Sequence, residues 1–175
     1  MLKNYYPEKP ILEYRRTSVS MPDVISLLQS MPINREIKRN AYILFRAESA
    51  NGSSGINNNY CGFQADSGRL DPKFDNLISG IVKKNENTTG RERLFFAFTN
   101  IDNFLNMFTT RLRDRGLFIG GTCSRVWKGQ LISNSNDLAR AYYKEWVKGS
   151  AKYEPSATEV SNFLSMYKQS TNFFI

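Results

Sequence analysis

The chain has 175 residues, of which 41% are hydrophobic, which is enough for a core-bearing domain and excludes a disordered chain. It carries 24 Lys and Arg against 16 Asp and Glu, a net charge of +8 with a pI near 9.6, so an anionic partner is expected. It has no His, which excludes Ser-His-Asp and Cys-His catalysis and nearly all catalytic zinc sites, and leaves acid–base work near neutral pH to carboxylates, Tyr or Lys.

Residues 1–19, with Pro7 and Pro10, read as an extended arm, and residues 20–175 as a single domain. The start MLKNYYPEKP is polar and lacks the pattern of a signal peptide. No apolar run approaches membrane-spanning length, so stable membrane insertion is not expected. A short helix is predicted from Pro22 to Met31, stopped by Pro32. A second helix runs from Asn34, a good N-cap, to Ala50. Ile37, Ala41, Leu44 and Phe45 recur on it at the spacing of a buried stripe. Glu48 falls on the next position of that stripe, in the last turn. Burial and the negative helix end would both raise the pKa of such a carboxyl. A carboxylic acid kept protonated near neutral pH is what a glycosidic oxygen needs from a general acid.

Gly52 and Gly55 explain why the helix stops. The run Asn57-Asn58-Asn59 before Tyr60, Phe63 and Gln64 offers amides next to ring faces, the pairing that sugars require. Residues 72–98 read as a β-hairpin, with Leu77, Ile78, Ile81 and Val82 on one arm and Leu94, Phe95, Phe96 and Phe98 on the other. The polar turn is centred on Asn85-Glu86-Asn87-Thr88-Thr89-Gly90. From Asn100 a helix carries Ile101, Phe104, Leu105, Phe108 and Leu112 on one face and ends at Gly116; Thr99 with Asp102 resembles a capping box. Residues 117–133 are loop. Asn134 or Ser135 opens a helix closed by Gly149, with Leu138, Ala141, Tyr142 and Trp146 inward. Ser156 and Glu159 form a capping box for a final helix that carries Val160, Phe163, Leu164 and Tyr167. Cys61 and Cys123 read as free, at least partly buried thiols, a single bridge between them being the alternative. The basic residues are scattered, Arg111, Arg113 and Arg115 being the nearest thing to a cluster. No stretch matches a DNA- or RNA-binding motif, so nucleic acid is not expected as a partner.

The order of helix, Glu48-Ser49, small-residue turn, Asn59-Tyr60-Cys61-Gly62-Phe63, hairpin, and Arg93-Leu94-Phe95 leading to a long helix resembles the lysozyme-like superfamily. Within it, the chain is most similar to glycoside hydrolase family 73, the flagellar and autolysin type of peptidoglycan glucosaminidase. The likeness covers roughly residues 34–120. The chain departs from that pattern at Ala50, where the family has Gly, and at Phe118, where it has Tyr.

The resemblance implies an α+β, mainly helical, lysozyme-like domain with one small hairpin. It implies a cell-wall glycosidase acting on β-1,4 bonds, with Glu48 as general acid. Asp66 or Glu86 would serve as the second carboxylate, with Asp71 and Asp75 as further options. Ser49, Asn59, Tyr60, Phe63 and Gln64 would line the substrate site. The implied partner is the peptidoglycan glycan strand, bound by a monomer with no metal or organic cofactor. Such a protein, made in the cytoplasm, would reach the wall by release through a membrane pore, dedicated secretion or carriage in a virion. The bond cut, and whether water or the sugar's own 6-hydroxyl attacks, stay open. A lytic transglycosylase, a glycan-binding module and a basic virion component are the alternatives.

Overall fold

A computed structural model describes residues 2–86 and 89–175. Asn87 and Thr88 of the expected turn lie outside the described residues. The chain is a mixed α+β protein that divides into two compact units. Residues 1–24 and 45–107 form the first, and residues 25–44 and 108–175 the second.

The first unit holds the strands. β1 (Ile11–Leu12) pairs in parallel with β4 (Ile78–Asn85), and β4 pairs antiparallel with β5 (Glu92–Phe98). β2 (Arg16–Thr17) pairs antiparallel with β3 (Gly55–Ile56). The N-terminal stretch is thus woven into both sheets rather than left as a separate arm. The hairpin is exposed or half-buried towards its turn and buried on both faces at Phe95–Phe98. Residues 63–65 lie along β5, with Ala65 N–H donating to Leu94 and Phe96 N–H to Phe63. The rings of Phe45, Tyr60, Phe63 and Phe98 gather round Phe104, with centroids 5.6–6.1 Å from it.

Helices α1 (Met21–Ser30), α2 (Arg35–Glu48) and α3 (Ile101–Asp114) each contribute residues to both units. Asn34 caps α2, its side chain accepting from Glu36 N–H at 2.8 Å. Asn100, not Thr99, caps α3, accepting from Asn103 N–H at 2.9 Å. Its side-chain oxygen lies three residues before that donor, the reach of an N-cap. In the second unit, α4 (Ser135–Ala141) is capped by Asn134 and widens into a π-helix over Tyr142–Lys148. α5 (Ala157–Ser170) starts on the Ser156–Glu159 capping box. Phe163 of α5 packs on Tyr142, and Phe173 and Phe174 pack on Tyr42. Gly116 ends α3 with φ +66°, and a Cβ there would sit 1.8 Å from the carbonyl oxygen of Thr122, so no other residue fits. Among the described residues, no helix is long and apolar enough to cross a membrane.

Candidate active site

Helix α2 ends at Glu48 and the backbone then reverses through Ala50, Asn51 and Gly52, all with positive φ. The reversal is tight: a Cβ on Gly52 would lie 2.2 Å from the Val19 carbonyl oxygen. Glu48 is exposed, whereas Ser49 is fully buried. The buried stripe therefore continues from Ala41 and Phe45 to Ser49, the i+4 row, and Glu48 stands one position to its side. The expectation of a desolvated Glu48 is corrected on this point. Ser49 is a structural residue, its hydroxyl donating to the Phe45 carbonyl and accepting from Gly52 N–H at 2.8 Å.

Glu48 lines a cavity of about 150 Å³ together with Tyr14, Ser54, Asn59, Tyr60 and Lys84. Strand register explains how residues so distant in sequence meet. Leu12 is level with Val82 across the parallel pair, so Tyr14 and Lys84, two residues further along each strand direction, come together. The Lys84 ammonium stands 5.5 Å from the centre of the Tyr14 ring. Asn57 fixes this segment from the other side. Its side-chain oxygen accepts from Arg15 N–H at 2.7 Å, and its amide nitrogen donates to the Glu13 carbonyl at 3.0 Å.

The other expected site residues have structural duties. Asn59 is 1% exposed, and its amide is spent within the fold. It donates to the carbonyls of Phe63 and Phe96 at 2.8 and 3.0 Å and accepts from Phe63 N–H at 3.0 Å. Asn58 likewise donates to the carbonyls of Phe98 and Thr99. Asn57 and Asn58 both adopt positive φ, which Asn tolerates better than most residues. The Asn run is thus a set of pins between loop and sheet, correcting the expectation that its amides grip sugars. Tyr60 and Phe63 are core rings, and burial raises the Tyr60 phenol pKa while a bond to the Thr17 hydroxyl pulls it the other way.

Asp66 and Glu86 converge on one cation, Arg93. Asp66, 4% exposed in its side chain, takes a two-pronged contact at 2.7 and 3.1 Å, and Glu86 takes a third at 3.0 Å. Gln64 accepts from the same guanidinium and donates to Glu86 at 3.3 Å. The pairing with Asp66 raises the Arg93 pKa. This network joins residues 64–67 to the hairpin, and neither carboxylate lines the Glu48 cavity. Asp75 is bound to Arg69 at 2.7 Å, and Asp71 caps the turn at Pro72–Phe74. Asp71 and Asp75 are likewise not among the residues lining the Glu48 cavity.

Cys61 reports on Glu48. Its thiol pKa is pushed well up, mainly by burial and then by the negative charge of Glu48. Both cysteines are free. Tyr14, Ser54 and Lys84 had no signal in the sequence, because their membership of the cavity follows from sheet register alone. Among the described residues, no group of three or more His, Cys, Asp or Glu is placed to hold a metal ion. Compared with protein-family models, curated proteins and solved structures, the chain matches none.

Proposed function

We propose that the chain cleaves the β-1,4 glycosidic bonds of peptidoglycan, with Glu48 protonating the leaving oxygen. The observation that carries this reading is the Glu48 carboxylate at a helix end, opening onto a cavity lined by the Tyr14 ring, Ser54 and Lys84. The succession of helix, carboxylate, Asn-aromatic-x-Gly segment and antiparallel hairpin supports a lysozyme-like build for the first unit. The net charge of +8 suits an anionic wall polymer.

In this mechanism a sugar entering the cavity strips water from Glu48, which favours the protonated carboxyl. As the C1–O bond breaks, its electron pair leaves with the departing oxygen, and the Glu48 proton goes to that oxygen. The oxocarbenium-like centre is then taken by an incoming hydroxyl, which gives its proton back to the Glu48 carboxylate.

A second reading concerns that hydroxyl. Asp66 and Glu86 are both held by Arg93, and Glu48 is the carboxylate that lines the cavity. One carboxylate acting as acid and then base suits attack by the sugar's own 6-hydroxyl, as in a lytic transglycosylase. Mass spectrometry of purified peptidoglycan after incubation tests both readings. Anhydro-muramic ends are expected from 6-hydroxyl attack, and reducing ends from water. Undigested glycan would overturn cleavage altogether.

A further inference from the structure

We propose that the β1–β2 connection builds a second subsite beside the Glu48 cavity, in which Tyr14 stacks on a neighbouring sugar and Arg15 binds a carboxylate of its peptide stem. The inference rests on the glycan-cleavage reading and names the substrate as peptide-bearing glycan several sugars long.

Beyond Tyr14 lies a second cavity of about 410 Å³, lined by Leu12, Glu13, Tyr14, Arg15 and Asn57. Tyr14 belongs to both cavities and forms the wall they share. Unlike Tyr6 and Tyr60, which are buried, Tyr14 is 47% exposed. An exposed ring held from one side by Lys84 is a platform for the C–H face of a sugar. Leu12 adds apolar surface.

The charges are placed for more than a plain sugar. Among the described residues, the Glu13 carboxylate and the Arg15 guanidinium make no hydrogen bond or ion pair. Both side chains are exposed while their backbones are fixed by Asn57. A preorganised backbone carrying an uncommitted guanidinium is suited to capture of a carboxylate by two parallel bonds. Glu13, of opposite sign two residues away, fits an amine on the same stem. Plain chitin offers neither group. The remaining polar group, the Asn57 amide, is occupied by the loop and takes no part in recognition.

The test uses the Glu48→Gln protein, which binds without turnover. Titration calorimetry compares a peptide-bearing wall tetrasaccharide, chitotetraose and a disaccharide. Tyr14→Ala is expected to weaken both tetrasaccharides about tenfold, the loss of one aromatic anchor, and to weaken the disaccharide, which meets the ring from the Glu48 side alone, by a smaller factor. Tyr14→Phe should keep the affinity, which separates stacking from any disturbance of the fold. Arg15→Gln should weaken only the peptide-bearing ligand, again about tenfold. In the otherwise native protein, Tyr14→Ala should raise KM on wall strands by a larger factor than it lowers kcat, because the ring lines the Glu48 cavity as well as the second one. Equal tetrasaccharide affinity with and without the Tyr14 ring overturns the subsite, and wall cleavage by the native protein would then leave the glycosidase reading standing. Tyr14-dependent binding with no cleavage by the native protein keeps the subsite and overturns cleavage. Absence of binding to any of the three glycans by the Glu48→Gln protein overturns the subsite outright.

Discussion

Glu48 and Cys61 are linked by charge, and that link gives a probe of the site that needs no substrate. Replacing Glu48 with Gln removes the negative charge that helps hold the Cys61 thiol up. The Cys61 pKa should therefore fall, more thiolate should be present at a given pH, and alkylation followed by peptide mass spectrometry should speed up. Burial, the larger cause, remains, so the thiol should still react more slowly than free cysteine. Cys123 serves as an internal control, because its pKa is pushed up to about 11 mainly by burial and then by Glu145. On the catalytic side, Glu48→Gln should lower wall lysis by the order of 10²–10⁴-fold, the typical worth of general acid catalysis, with an unchanged circular dichroism spectrum. Clearing of permeabilised cells at the native rate would remove Glu48 from the chemistry.

At the scale of elements, the hairpin and the loop after Phe63 are held together by buried polar groups. Arg93 is the centre of this arrangement. Arg93→Ala would strand the Asp66 carboxylate, which is 4% exposed, without its partner. The pair is only partly buried, with 21% of the Arg93 side chain exposed, so urea unfolding should show a loss below the roughly 3–5 kcal/mol of a fully buried pair. Asp66→Asn and Glu86→Gln should lower stability but leave the rate per folded molecule near native, because neither side chain lines the Glu48 cavity. A large fall in rate for one of them, with stability retained, would restore a two-carboxylate mechanism. Asn59→Ala would leave the buried Phe63 N–H without its acceptor and the Phe96 carbonyl without its side-chain donor, while the Phe63 carbonyl keeps the bond from Phe96 N–H. Buried groups left unsatisfied cost about 1–3 kcal/mol each, so this substitution should be among the more damaging in the loop.

For the whole molecule, the dominant feature is the charge of +8. Attraction between scattered surface cations and an anionic wall is screened by salt, with a Debye length of about 10 Å at 0.1 M falling to about 3 Å at 1 M. Pull-down on purified wall should weaken over that range. Binding that holds constant would place the affinity in the Tyr14 groove rather than in the charge.

The elements were largely legible in the sequence because their signals are local. Asn34, Asn134 and the Ser156–Glu159 box announce helix starts, Gly116 and Gly149 announce stops, and the apolar runs around 78–82 and 94–98 announce a hairpin. The position of Glu48 at a helix end was readable for the same reason. Its exposure was not. On a helix, a one-position choice between the i+3 and i+4 rows decides whether Glu48 or Ser49 faces inward, and the reversal after residue 49 settles it. The roles of Asn59, Asp66 and Glu86 were equally hidden, because an amide or carboxylate that serves a ligand has the same sequence as one that serves the fold. Tertiary structure alone decided that Arg93 claims two acids, and that parallel pairing of β1 with β4 sets Tyr14 beside Lys84 and the Glu48 cavity. Sequence encodes propensity and period along the chain, whereas a site is made by register between strands that are seventy residues apart.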